Sequence, residues 1–307
     1  MSEPSLMPLV SVIIPTFNRA HMIGDALESV FQQTYKNIEV LVIDDGSTDS
    51  TQDVIANLNA SCVRYIKQKN AGASAARNHG ITLSKGDYVA FLDSDDIYES
   101  KCIEAKVAIA LADDDCVLVG GGCSYFDEHS KNCIADTPAR TLVTYEDLCI
   151  FTAFPGATSN IFAKRTAIIA AGPFVTSLSN SEDRDFLRRL VKQGNTKSCN
   201  FNTISMRIHS GLRPNRHKQK QYADREWISA QIPEKNLRQR SRAWNAMVMA
   251  NLYWSENQKL SAIAWWIKSF LIYPGSVHPE RPRLKAILRN YSPNSYYPET
   301  VTSLNTK

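Results

Sequence analysis

Hydrophobic and polar positions switch between two periods over the first hundred residues. Leu9 to Ile14 is an apolar run stopped by Pro15, and Ile23, Leu27, Val30 and Phe31 then share one face of a helix. Ile38 to Ile43 reads as a second buried strand, followed at once by Asp44-Asp45-Gly46-Ser47. A short helix comes next, begun at Asp49 or Ser50 and burying Val54, Ile55 and Leu58. Val63 to Ile66 is a third strand. Ala73 to Leu83 is an Ala-rich helix entered through Asn70-Ala71-Gly72, and Tyr88 to Leu92 is a fourth strand. This alternation predicts an α/β fold built on a single, mostly parallel mixed sheet flanked by helices.

Further on, the pattern predicts a helix near Lys101–Leu111, a strand near Cys116–Gly121, and helices near Tyr145–Phe151 and Lys164–Ala170. Glu182 to Lys192 is amphipathic at helical spacing, and Asn202 to His209 alternates as a strand. From about Gln219 the chain reads as helical, with many Trp and Arg and a loop near Pro274-Gly275, while Pro293 to Lys307 is irregular. The predicted organisation is an α/β domain over residues 1–212 and a helical C-terminal region over 213–307. Trp244, Trp254, Trp265 and Trp266 recur at helical spacing, which favours core packing over a sugar-stacking surface.

The most informative local feature is acidic. In Gly86-Asp87-Tyr88-Val89-Ala90-Phe91-Leu92-Asp93-Ser94-Asp95-Asp96 the carboxylates begin where an apolar strand should leave the core. Period-2 geometry points Asp93 and Asp95 to one side. Two hard oxygen ligands at an open strand end suit Mg²⁺ or Mn²⁺ bridging to a diphosphate, and ligands of open α/β sheets bind beyond the carboxyl ends of the strands. The spacing alone is weak, because Asp113-Asp114-Asp115 and Asp183-Arg184-Asp185 share it. Only the first follows a strongly apolar strand.

Composition narrows the partners. No apolar run reaches the roughly 18 residues that cross a bilayer, and Met1 to Leu9 lacks the pattern of a signal peptide. Seven scattered cysteines without a C-x-x-C pair predict reduced thiols in a cytoplasmic setting, with neither a zinc site nor a disulfide framework. Residues 207–307 hold 17 Lys and Arg against 6 Asp and Glu, whereas residues 1–206 hold 18 against 25. That basic third predicts an anionic partner or a solvated helical surface. With no recognised nucleic-acid motif, nucleic acid is not expected.

Five motifs occur in an order that resembles the family-two glycosyltransferases, inverting enzymes of GT-A fold. They are Val10 to Arg19, Ile38 to Asp49, Asn70 to Gly80, Gly86 to Asp96, and Ser181-Glu182-Asp183-Arg184-Asp185, together covering roughly residues 9–212. The resemblance implies a metal-dependent hexosyl transfer from a nucleotide sugar, with a UDP or dTDP leaving group favoured. Pro15, Thr16, Asn18, Asp44 and Asp45 would border the nucleotide, with Asp45 accepting the N3–H of the base. Gly72 and Arg77 would approach the nucleotide or diphosphate, and Asp93 the ribose or metal. Asp95, Asp93 and His209 are the implied metal ligands, for Mn²⁺ or Mg²⁺. Asp183 is the implied general base, Glu182 would position the acceptor, and Arg213 would close over the diphosphate. Where family enzymes often carry Trp after the Glu-Asp pair, this chain has Arg184, a departure that bears on acceptor identity.

The residues also have blander uses. Asp44-Asp45-Gly46-Ser47 can simply turn the chain, carboxylates at 182–185 can stabilise a helix N-terminus, and His209 and Arg213 can be ordinary surface groups. A sugar-1-phosphate nucleotidyltransferase is the competing enzyme, but it would want a Gly-rich basic loop where Pro15-Thr16-Phe17-Asn18 stands. A non-catalytic binding protein is the other alternative. The resemblance further suggests a glycan or lipid-linked acceptor in surface polysaccharide or glycolipid synthesis, and the basic clusters that run from Arg213 to Arg242 and from Arg281 to Arg289 predict salt-sensitive peripheral association with the cytoplasmic membrane face.

Overall fold

The structure, a computed structural model, describes residues 7–58, 60–128, 132–208 and 218–277. Strands β1 (Val10–Thr16), β2 (Ile38–Asp44) and β3 (Val63–Lys67) alternate with helices α1 (Ile23–Phe31), α2 (Thr51–Asn57) and α3 (Ala73–Leu83), and β4 (Tyr88–Phe91) follows. These four strands are parallel, with β1 central: Val12 pairs with Val40 of β2 on one side and Ala90 of β4 on the other.

The second half completes a mixed sheet. After β5 (Ile97–Tyr98) and α4 (Cys102–Leu111) come β6 (Cys116–Asp127), β7 (Cys133–Thr137), α5 (Tyr145–Ile150), β8 (Phe162–Lys164), α6 (Arg165–Ala171), α7 (Glu182–Leu190) and β9 (Asn195–Ile208). The sheet order is β3-β2-β1-β4-β8-β6-β9-β5, with β7 paired to β6. β8 runs antiparallel to both β4 and β6, and β6 and β9 are parallel. Helices α8 (Lys218–Ala230), α9 (Lys235–Ser255) and α10 (Lys259–Ile272) form the C-terminal region.

Period-2 geometry sorts the strand side chains onto two apolar faces. Ile13, Leu41, Val89 and Phe91 enter one cluster, whereas Val12, Ile14, Val40, Val42 and Ala90 enter the other. Both faces of β1, β2 and β4 are covered, so β1 and β2 read as continuous apolar runs, whereas the edge strand β3 is only partly covered. The helical region joins the first cluster through Ala243, Trp244, Met247 and Val248, and Trp244 packs 6.4 Å from Phe151. Trp254 and Trp266 pack on one another at 5.0 Å, so those tryptophans serve packing.

The sequence pattern missed three short strands. β5 and β8 have two and three residues, too few to display a period, and β7 is a half-exposed edge. The strand expected at Cys116–Gly121 continues to Asp127 through three consecutive glycines. That expected at Asn202–His209 starts at Asn195. His209 and the irregular tail at Pro293–Lys307 lie outside the described residues.

Candidate active site

The carboxyl ends of β1, β2 and β4 meet at one edge of the sheet, and the polar loops there are tied to each other. The Asp45 N–H donates to the Thr16 carbonyl at 2.8 Å, behind which Pro15 is buried within β1. Asn18 adopts φ 53°, a left-handed conformation that Asn tolerates. Its Oδ1 accepts from the Thr48 N–H at 2.8 Å, and its own N–H donates to Ser47 Oγ at 2.9 Å. Thr16 Oγ1 is buried and has no protein hydrogen-bond partner.

The two aspartates of the second motif have different surroundings. Asp44 is wholly buried, accepting from the Ser47 N–H at 2.7 Å and from the Tyr65 hydroxyl, so it holds the turn from within. Burial and the same bond to Asp44 push the Tyr65 hydroxyl well above its ordinary pKa. Asp45 accepts from Gln68 Nε2 at 2.7 Å, the Ala71 N–H at 2.9 Å and the Gly72 N–H at 2.7 Å. It thereby ties the β2 turn to the loop that enters α3. Gly72 sits at φ 91°, and a Cβ there would meet no atom within 4 Å. The backbone angle therefore demands glycine, and the loop faces open space.

Beyond β4 the acidic segment is a turn rather than the extended strand end that period 2 assumed, closed by the Asp96 N–H on the Asp93 carbonyl at 3.0 Å; Asp93 and Asp95 are half-exposed, Ser94 and Asp96 buried. Ser159 links the segment together, accepting from the Asp93 N–H at 3.0 Å and donating to Asp96 at 2.6 Å. Burial, with Asp95 and Asp93 close by, pushes the Asp96 carboxyl well above the usual range. Arg207 of β9 donates from Nε to the Asp95 carbonyl at 3.2 Å and pairs with Asp25 at 2.8 Å, stacked 5.0 Å from Phe126. Arg19 approaches Asp95 at 4.0 Å. The half-exposed pair Asp93 and Asp95 fits a small hard cation. Mg²⁺ in particular takes one or two carboxylates and completes its shell with phosphate oxygens and water. Among the described residues no three His, Cys, Asp or Glu side chains come together in a group that could hold a metal ion.

Arg77 joins the nucleotide-side motifs to the fifth motif. Its guanidinium, 5% exposed, bonds Asp93 at 2.7 Å, lies 3.6 Å from Glu182, and packs 5.6 Å from the Phe174 ring centre. Burial alone would lower its pKa, but Asp93 and Glu182 hold its proton more firmly than usual. Glu182 begins α7, entered from Ser181 at φ 59°. Burial and the neighbouring Asp183 raise the Glu182 carboxyl above its ordinary value, and Arg77 partly offsets them. Asp183 is half-exposed and accepts from the Arg184 N–H at 2.7 Å. Asp185 instead turns inward, pairing with Arg188 and Arg189 at 2.9 Å each.

Arg184 is an unusual neighbour for this pair. It is fully buried, donates from Nη1 to the Ile150 carbonyl at 3.0 Å, and leaves Nε and Nη2 without partners. Burial, then the nearby Arg225, push it down to about 9. A base with a depressed folded-state pKa is fully stabilising only above its ordinary value, and that contribution is lost as pH falls through about 9. At neutral pH the charge therefore costs stability. Arg184→Met is expected to stabilise the fold, since removing a buried charge with two unpartnered nitrogens outweighs the one hydrogen bond lost to the Ile150 carbonyl, with a gain that narrows above about pH 9. Urea unfolding across that pH range checks it, and a destabilised variant at pH 7 would refute it.

The fold thus brings Thr16, Asp45, Gly72, Arg77, Asp93, Asp95, Glu182 and Asp183 to one end of the sheet. It sets Asp44 beneath that surface and Asn18 in the first turn. His209 and Arg213 lie outside the described residues. Ser159, Gln68 and Arg207 escaped the sequence reading. Arg207 carried a signal, since it shares the polar face of an alternating strand; Ser159 and Gln68 lie in ordinary polar stretches.

The profile described as Glycosyl transferase family 2 matches residues 11–163. An uncharacterized glycosyltransferase of Rickettsia felis is 48% identical over 103 residues, 32% of this chain and 16% of that protein. Glycosyltransferase GlyG of Streptococcus pneumoniae serotype 4 is 34% identical over 145 residues, 46% of each chain. The chain therefore spans less than half the length of these relatives. S. aureus TarS 1-349 in complex with UDP-GlcNAc superposes with TM-score 0.64 at 16% identity, covering 97% of this chain and 88% of that one. The mannosyltransferase PcManGT from Pyrobaculum calidifontis, in complex with GDP-Man and Mn2+, gives 0.59 at 16% identity, covering 99% and 86%. At these identities the structural likeness concerns the fold, which is GT-A.

Proposed function

Through residues 11–163 the chain belongs to glycosyl transferase family 2, and we propose that it moves a sugar from a nucleotide diphosphate sugar to an acceptor hydroxyl with inversion. The observation that carries this reading is Arg77, which connects Asp93 at the donor side with Glu182 beside Asp183. Donor-side and acceptor-side carboxylates are thereby held close together around one guanidinium, the proximity a single displacement needs. In this reading Asp183 takes the proton of the acceptor hydroxyl, Glu182 orients that hydroxyl, and Thr16 Oγ1 and the open Gly72 loop border the nucleotide. Asp93 and Asp95 would hold Mn²⁺ or Mg²⁺, which supplies positive charge to the departing diphosphate. A covalent intermediate is unnecessary, so no Ser or Cys nucleophile is called for.

A UDP or dTDP donor is favoured by the Asp45 turn, whose carboxylate already accepts three protein hydrogen bonds and keeps room for about one more. The acceptor is a glycan or a lipid-linked sugar, in surface polysaccharide or glycolipid synthesis. Among the described residues no helix is long and apolar enough to cross a membrane. In this reading a lipid-linked acceptor is met peripherally, at the cytoplasmic face. Titration calorimetry with UDP, dTDP and GDP, with and without Mn²⁺, tests the donor and metal together. UDP or dTDP should bind at least about tenfold more tightly with Mn²⁺, and Asp95→Asn should remove most of that gain, since each tenfold step is about 1.4 kcal/mol. Equal affinity with and without the ion would reject the metal role. Formation of a nucleotide sugar from a sugar 1-phosphate would instead favour the nucleotidyltransferase.

A further inference from the structure

Helix α10 is apolar on two sides, and on its inner side Trp266 and Ile272 pack against the core cluster that holds Trp244. Ala262 and Ser269 face α9, where Ser269 Oγ donates to the Ala243 carbonyl at 2.7 Å. The opposite face carries Leu260, Ile263, Ile267, Phe270 and Leu271, all exposed, with Leu260 at 85% and Leu271 at 80%. At 100° per residue these five span about a third of the helix circumference, and Lys259 and Lys268 bound that sector on its two sides. A helix covered in apolar residues on its outer side belongs against another apolar phase.

We infer that this face docks in the plane of an anionic lipid surface, with its apolar stripe in the headgroup–acyl boundary and Lys259 and Lys268 against lipid phosphates. Charge selects this occupant over a second copy of the chain. α10 contains two lysines and no acidic residue, so two such helices face to face would bring like charges together with no counter-charge on either. Lipid phosphates supply that counter-charge, the pattern of interfacial amphipathic helices. Aromatic rings line the flanks: Lys259 lies 3.6 Å from the Trp254 ring centre and Lys268 4.2 Å from that of Trp265. Net basic charge alone would not suffice. Lys218, Lys220, Arg240 and Arg242 are paired with Glu256, Asp224, Glu146 and Glu226.

Co-sedimentation of the full chain with vesicles of phosphatidylcholine alone, and of equimolar phosphatidylcholine and phosphatidylglycerol, tests the docking. The chain should pellet with the anionic vesicles and much less with the neutral ones. The double variant Leu260→Glu with Leu271→Glu should lose at least about tenfold in partitioning, because each buried apolar side chain contributes more than a factor of ten by area. Its thermal midpoint and nucleotide affinity should match the wild type, since neither residue contacts the site. Three outcomes overturn the inference. One is negligible wild-type binding to both vesicles at low salt, or binding that the variant keeps. Another is a wild-type dimer in light scattering that the variant converts to monomer, which assigns the face to a second copy. The third is a clear fall in the variant's thermal midpoint, which assigns it to residues 278–307 of the same chain.

Discussion

Asp183→Asn is expected to lower turnover by about 10²–10⁴ with donor affinity nearly unchanged. The substitution is close to isosteric, and an amide oxygen still accepts the Arg184 N–H that now bonds the carboxylate at 2.7 Å. Helix α7 and its entry should survive, so what disappears is the ability to take a proton. Glu182 is the natural control, because burial and the neighbouring Asp183 raise its carboxyl above the ordinary value. Steady-state rates at saturating donor for Asp183→Asn and Glu182→Gln separate the roles. A larger loss in Glu182→Gln, with full activity in Asp183→Asn, would exchange the two assignments. Product configuration read by NMR supplies an independent check, since retention would reject a single displacement.

Sequence periodicity carried most of the parallel half of the fold because β1, β2 and β4 are buried along nearly their whole length and α1 has an apolar stripe. Val10–Thr16 and Ile38–Asp44 need no long-range information to be read as strands. β5 and β8 do, since they exist only through pairing with β9, β4 and β6. The site was legible to a similar depth. Asp93 and Asp95 announce themselves by following an apolar strand, but period 2 could not foresee that the chain leaves the strand at Phe91 and turns, with the Asp96 N–H donating to the Asp93 carbonyl at 3.0 Å. Spacing could not say that Asp44 is enclosed by Ser47 and Tyr65 while its neighbour Asp45 grips the Gly72 loop. Nor could it pair Arg77 with Glu182, which lie 105 positions apart and meet only because α3 and α7 flank the same end of β4.

Arg77→Met should disturb stability, pH response and donor binding together. The guanidinium is buried, and its loss leaves Asp93 and Glu182 without their shared cation. Removing one partner of a buried ion pair costs about 3–5 kcal/mol. Asp93 and Glu182 keep 32% and 24% of their side-chain surface in water, so the cost should fall at the lower end of that range. The loss should also grow with pH. A carboxyl with a raised folded-state pKa contributes stability fully below its unfolded value, and that contribution is lost as pH rises through the folded value. In the native chain Arg77 offsets part of the rise in Glu182, so the variant pushes that carboxyl higher still. Ionising it at neutral pH, beside Asp183 and without a cation, then destabilises the fold more than at mildly acidic pH. Urea unfolding near pH 5 and near pH 8 measures the difference directly. Arg77→Lys should recover part of the stability through its charge, but it lacks the planar fork that serves two carboxylates at once. Its nucleotide affinity in the presence of Mn²⁺ should therefore stay below that of the native chain. Equal destabilisation of Arg77→Met at both pH values would show that Glu182 does not depend on Arg77, and the Asp93 and Glu182 sides would then be held together by packing alone.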